Sequence, residues 1–153
     1  MPFQSTVDVH MILRRPDGWV LLAERAGGYA SGLLNVPGGK LEAGEDVVTA
    51  AVREAREELA VDIDPADVQM VSVIHQRNPD GETRVGFFFA TDTWSGQPVN
   101  AEPDKCGGLV WADPTDLPAH TIAYSAEGLL AAAAGESFRV YGWADGQDHI
   151  TFG

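Results

Sequence analysis

Apolar and polar positions alternate over residues 5–14, S-T-V-D-V-H-M-I-L-R, with Val7, Val9, Met11 and Leu13 in phase. A period of two is what a strand shows when one face is buried. Arg15-Pro16-Asp17-Gly18 breaks the pattern with turn chemistry, because proline presets φ and glycine takes the conformation other residues resist. Residues 19–25, W-V-L-L-A-E-R, then read as a returning second strand of a hairpin. A Gly/Ala/Ser-rich loop at 26–32 leads to a short extended piece, Leu33 to Val36, and to a Pro37-Gly38-Gly39 turn. An acidic helix is expected from about Asp46 to Leu59.

A strand is expected near 67–76, and Asn78-Pro79-Asp80-Gly81 repeats the earlier turn chemistry before 83–92 completes a hairpin with it. Phe87, Phe88 and Phe89 read as strand core with one ring exposed. Beyond Pro98 and Pro103 come a strand at 108–112, an Ala-rich helix at 124–134, a short strand at 138–143, and a polar tail, 144–153, expected to fray. Strands and helices mix without a regular βαβ rhythm, so the expected class is α/β, a sandwich of helices on a mixed sheet. The 153 residues suit one domain, 1–153, and contain neither a linker nor a repeat.

The formal net charge of −13 speaks against generic nucleic-acid binding and against an anionic membrane surface. It leaves room for a phosphorylated small molecule, provided a cation neutralises both sides. Cys106 is the sole cysteine, so no intrachain disulfide forms, and it has no neighbouring His or Cys pattern to suggest zinc or thiol catalysis. No leader-like segment opens the chain and no apolar run reaches the ~18 residues of a spanning helix, so a soluble, cytoplasmic protein is expected. Oligomeric state is not written in the sequence, and a homodimer is left open.

The acidic helix carries Arg53, Glu54, Glu57 and Glu58, and the three glutamates share one face. Like charges so spaced repel by roughly 0.2–0.5 kcal/mol per pair. The cluster makes sense around a hard divalent cation, which takes oxygen ligands and brings phosphates with it. The full run is Gly39, five residues, Glu45, seven residues, Arg53-Glu54, Ala55, Arg56, Glu57-Glu58, Leu59, Ala60, Val61. It resembles the Nudix box of the MutT-like Nudix hydrolase family, G-x5-E-x7-R-E-U-x-E-E-x-G-U, with U aliphatic. The stretch before it, L-L-N-V-P-G-G-K-L-E-A-G-E, is also similar to that family's approach to the box. One position departs: the late glycine is Ala60. Glycine just past a helix end often takes φ > 0, and alanine there costs on the order of 1 kcal/mol.

The resemblance implies an α/β/α sandwich and the hydrolysis of a nucleoside diphosphate linked to another group. It implies that Glu54, Glu57 and Glu58, helped by the Gly39 carbonyl, hold Mg²⁺ or Mn²⁺. Glu54, Arg53 and Glu57 would be the catalytic set, with Glu54 deprotonating or orienting the attacking water and Glu45 supporting Arg53. Weaker substrate-binding candidates are Arg25, Asn35, His120 and, with Asp104 in the same acidic loop, Glu102. His10, His75 and His149 read as structural or exposed. A nucleoside triphosphate, giving a monophosphate and pyrophosphate, is the expected substrate. The alternatives are a nucleotide sugar or ADP-ribose type, and a non-catalytic nucleotide-binding regulator. A regulator usually lacks a box carboxylate, and here all three are present. An isomerase variant would want further catalytic Cys and Glu residues that Cys106 alone does not supply.

Overall fold

The computed structural model describes residues 1–144 and 150. Most of the tail expected to fray, and His149, lie outside the described residues. The elements in order are β1 (Thr6–Leu13), β2 (Val20–Arg25), β3 (Leu34–Asn35), β4 (Gly38–Lys40), α1 (Val47–Leu59), β5 (Gln69–Arg77), β6 (Thr83–Thr91), β7 (Cys106–Ala112), α2 (Ala123–Ala133) and β8 (Phe138–Tyr141). They build a five-stranded mixed sheet, β4-β1-β6-β5-β8, and a smaller sheet, β3-β2-β7. β1 runs parallel to β6, and β5 and β6 form the expected antiparallel hairpin.

Two expectations are corrected. β2 does not pair back onto β1 beyond a single bridge, Arg14 to Val20, and lies antiparallel to β7 instead. A strand has two edges, and β4 and β6 occupy both edges of β1. Gly38-Gly39 is not a bare turn: with Lys40 it forms β4, antiparallel to β1, with Val9 opposite Gly39 and His10 opposite Gly38.

Both faces of the larger sheet are covered. Val9, Met11 and Leu13 pack with Phe89 against the small residues Ala50, Ala51 and Ala55 of α1. Ile12, Ile74 and Phe88 pack against Ala126 and Leu129 of α2. Gly128 makes that approach possible, since a Cβ there would lie 2.5 Å from the Phe88 ring. Of the three consecutive phenylalanines, Phe88 and Phe89 are buried and Phe87 is half-buried, so no ring stands fully exposed.

α1 begins at Asp46, whose carboxylate accepts from the Thr49 amide at 2.9 Å. It ends on Ala60, which adopts the left-handed conformation (φ 57°, ψ 35°) that the box reserves for glycine. Val99 N–H donates to the Leu59 carbonyl and Ala101 N–H to the Glu58 carbonyl, each at 3.0 Å. Those bonds satisfy the open end of α1 and fasten the next loop beside it. Among the described residues no helix is long and apolar enough to cross a membrane.

Candidate active site

With its alanine face on β1, α1 turns its acidic face toward β4. Glu54 lies so close to the Gly39 backbone that a Cβ there would come within 2.5 Å of the Glu54 carboxyl carbon. Arg53 is the hub. Its Nε and Nη2 make a forked pair of bonds to Glu45, 3.0 and 2.7 Å, and Nη1 donates to Glu54 at 3.0 Å and Glu57 at 3.2 Å. Nη2 also reaches the Lys40 carbonyl at 3.4 Å. The fork to Arg53 and the Glu42 amide hold the Glu45 carboxyl below its ordinary value, and Glu45 holds the guanidinium above its own. Arg53 thus ties the loop before α1 to the carboxylates on it.

Glu58 faces inward and accepts from the Gly38 amide at 3.2 Å. Burial first, and then the neighbouring Glu54 carboxylate, push its carboxyl up to about 9. Glu102, carried by the loop fastened to the end of α1, adds to that push. So Glu102 joins the box carboxylates across 44 residues of chain, while Asp104 is exposed and lines no cleft. Among the described residues, no three His, Cys, Asp or Glu side chains are arranged to hold a metal ion. Arg53 Nη1 occupies Glu54 and Glu57 instead.

These groups border a cleft of about 610 Å³. Arg25, at the end of β2, and Asn35, in β3, line it as well, and both also line a second cleft of about 510 Å³ on the other side of β4. Arg25 Nε donates to the Tyr29 carbonyl at 3.1 Å. His120 is exposed and lines neither cleft; its backbone carbonyl accepts from Leu34 N–H at 3.0 Å. Lys40 and Lys105 were not singled out by sequence, yet both line the first cleft, and Lys105 reaches Glu102 at 3.5 Å. Their position right after Gly39 and in the Glu102 loop was the available signal. Also missed were the polar residues of the second cleft, among them Asp8, Arg84 and Gln76. His10, expected to be structural or exposed, is buried, and His75 is partly buried with its ring 4.9 Å from that of Trp143.

An α/β/α sandwich that sets clustered carboxylates and cationic side chains around one cleft suits an anionic ligand that brings a cation with it. The particular family follows from comparison: the chain belongs to the Nudix hydrolases, its residues 4–133 matching the NUDIX domain. It is 30% identical over 110 residues to the 8-oxo-dGTP diphosphatase of Escherichia coli strain K12, spanning 70% of this chain and 83% of that protein. The structure is similar to the MutT Nudix hydrolase of Burkholderia pseudomallei (TM-score 0.76, 29% identity, 84% of this chain and 98% of that one). It is also similar to the ORF135 protein of E. coli (TM-score 0.72, 26% identity, 88% and 94%). The chain is therefore a MutT-like Nudix pyrophosphohydrolase, of a family that binds nucleotides and generally works with divalent metals.

Proposed function

We propose that this chain, acting as one domain over 1–153, hydrolyses nucleoside triphosphates to a monophosphate and pyrophosphate with Mg²⁺, or Mn²⁺ in its place. The observation that carries the reading is the crowding of Glu54, Glu58 and Glu102 on one wall of a cleft whose rim is cationic. Glu58 is half-buried against other carboxylates, and desolvation with their charge raises its carboxyl to about 9. An oxygen-only donor set of that kind suits a hard cation. Glu54, Glu57 and Glu58, with the Gly39 carbonyl, would hold it, once Glu57 leaves Arg53. The cation supplies screening of the phosphoryl oxygens and a lowered pKa for water.

The protein's own groups do the rest. Arg53 and Glu45 hold Glu54 in place, and Glu54 takes the proton of the attacking water. The water oxygen bonds to phosphorus, the phosphorus–bridging-oxygen bond breaks, and pyrophosphate leaves. Arg25 and Lys40, which line both clefts, would steady the phosphate chain as it crosses β4. In-line transfer depends chiefly on such positioning and charge stabilisation. Asn35, which lines both clefts, would meet the nucleoside.

The test is a panel of nucleoside triphosphates, nucleotide sugars, ADP-ribose and dinucleoside polyphosphates, with Mg²⁺ or Mn²⁺, read by phosphate and nucleotide products. Triphosphates are expected to give monophosphate and pyrophosphate, and Glu54→Gln and Glu57→Gln to lose about 10²–10⁴ in kcat. Full activity in those variants, or no turnover of any member, would refute the reading.

A further inference from the structure

The second cleft lies over the α2 face of the large sheet, where that face runs out beyond the N-terminus of α2. Its floor is polar. Asp8 on β1 is buried and receives three bonds: Nε and Nη2 of Arg84 at 2.7 and 2.8 Å, and the Tyr124 hydroxyl at 3.1 Å. The remaining nitrogen of Arg84, Nη1, bonds to none of the described residues. Gln76 on β5 stands directly opposite Arg84 in the strand register. Such pairs keep their Cβ atoms roughly 4.5–5.5 Å apart.

Gln76 is buried, and its Nε2 donates to Asn78 Oδ1 at 2.9 Å. With the Asn78 oxygen accepting, the Gln76 amide turns its own oxygen to the other side. The other end, Oε1, is buried with no hydrogen-bond partner among the described residues. An unpaired buried acceptor is costly, and no other buried side-chain oxygen among the described residues is left so. On β1, at the β4 side of the same cleft, His10 has no partner for either ring nitrogen among the described residues and stacks flat on Phe88, centroids 4.3 Å apart and planes 13° off parallel. The cleft thus brings together an imidazole stacked on Phe88, a guanidinium held by its fork to Asp8, and an amide oxygen left open by the bond to Asn78.

Direction decides what the guanidinium and the amide oxygen can read. Across the sheet the order is β4, β1, β6, β5. A nucleotide whose phosphates cross β4 enters from that side, so Arg84 comes first and Gln76 lies at the far end. In cytosine the ring N3 and O2 lie nearer the glycosidic bond and the exocyclic amine is farthest from it. Adenine likewise has its amine at the far end beside an unprotonated ring nitrogen. Uracil and hypoxanthine put a carbonyl oxygen there, which would face the Gln76 oxygen, acceptor to acceptor.

We propose that Gln76 is a specificity-determining residue: the second cleft selects nucleobases with an exocyclic amine at the far end, the cytosine and adenine type, over those with a carbonyl oxygen. The inference rests on the nucleoside triphosphate reading above and names the base class of that same substrate. It separates this chain from its E. coli relative named as an 8-oxo-dGTP diphosphatase, whose base carries a carbonyl at the equivalent edge.

Two matched substrate pairs test it, CTP against UTP and ATP against ITP, each with Mg²⁺ and each changing only amine to carbonyl at that edge. The amine member is expected to have the higher kcat/KM by roughly 10- to 100-fold, as a good base-edge pair gives. Gln76→Leu, with its thermal midpoint checked, should bring both ratios close to one. Asn78→Ala, which frees the Gln76 amide to rotate, should shrink them, and Asn78→Asp, which still accepts from Nε2, should keep them. Ratios near one in the native chain, ratios unchanged in Gln76→Leu, or 8-oxo-dGTP turned over better than both CTP and ATP would overturn the proposal. Calorimetric titration with CMP and UMP separates it from the hydrolysis reading. Equal affinities sink the base preference even if triphosphates are hydrolysed, and tighter CMP binding without turnover upholds it while the hydrolysis reading fails.

Discussion

Replacing Ala60 by glycine should stabilise the protein without touching its chemistry. Ala60 ends α1 at φ 57° and ψ 35°, and its amide still donates to the Arg56 carbonyl at 3.0 Å. A residue with a Cβ pays about 1–2 kcal/mol to sit in that region. Glycine removes the strain but brings back about 0.4–1 kcal/mol of unfolded-chain entropy. Ala60 is exposed, so its methyl takes little packing with it. The difference is a net gain of about 0.5–1 kcal/mol, or a rise of about 1–4 °C in Tm for a chain of this size. Differential scanning calorimetry of both proteins reads that shift, and kcat with the best nucleotide reads the chemistry. Because Ala60 borders neither cleft, kcat should stay as it is. A Tm that is unchanged or lower would mean that the strain at the helix exit is not stored where the backbone angles place it.

Arg53→Lys keeps the charge but loses the fork to Glu45, and second-layer losses of that kind typically cost 10–100-fold; steady-state kinetics should find it in kcat, and an unaltered kcat would remove Arg53 from the machinery. Gly39→Ala drives a methyl into the Glu54 carboxylate, so activity should fall on the order of a hundredfold while the circular dichroism spectrum is retained; near-native activity would show that Glu54 has room to move. His10 is buried, and desolvation, against a smaller opposing pull from Asp8, holds its pKa below the usual 6.5. The unfolded chain therefore binds a proton that the native chain does not, and stability should fall as pH drops below about 6.5. Urea titrations at pH 7.5 and 5.5 of the native chain and His10→Gln should show a smaller loss in the variant, and equal losses would contradict the assignment.

What was legible in the sequence was local. The spacing of Glu54, Glu57 and Glu58 places them on one helix face whatever surrounds the helix, and Arg53 finds Glu45 because both flank the same turn of chain. Pro37-Gly38-Gly39 read as a turn because its residue chemistry favours one, yet β1 offers it a free edge and draws it into a strand. The missing β1–β2 hairpin has the same origin, since strand pairing depends on which edges distant segments have already taken. The second cleft was hidden for a further reason. Asp8, Gln76 and Arg84 sit at alternate positions of three strands, where a polar residue normally signals solvent. Only the short reach of α2 reveals that the face they share is covered at one end and open at the other.

The two clefts are joined through β4, and the composition of that strand follows from what presses on it. From the α1 side, Glu54 closes on Gly39 until no Cβ fits. From the β1 side, the Val9 carbonyl and then His10 leave no space at Gly38, where a Cβ would come 2.1 Å from the Val9 oxygen and 2.8 Å from the His10 Nδ1. The same short strand gives its Gly38 amide to Glu58 and its Lys40 carbonyl to Arg53. A residue with a side chain at either glycine would have to displace a carboxylate on one side or a cleft wall on the other. The consecutive glycines are thus a partition only one backbone thick, bonded on one side to the groups that would hold the cation and position the water, and backed on the other by the wall that would hold the base. Chemistry and base selection are separated by so little that a nucleotide can meet both at once. A substitution at Gly38 should accordingly reach base preference through His10, and one at Gly39 should reach turnover through Glu54.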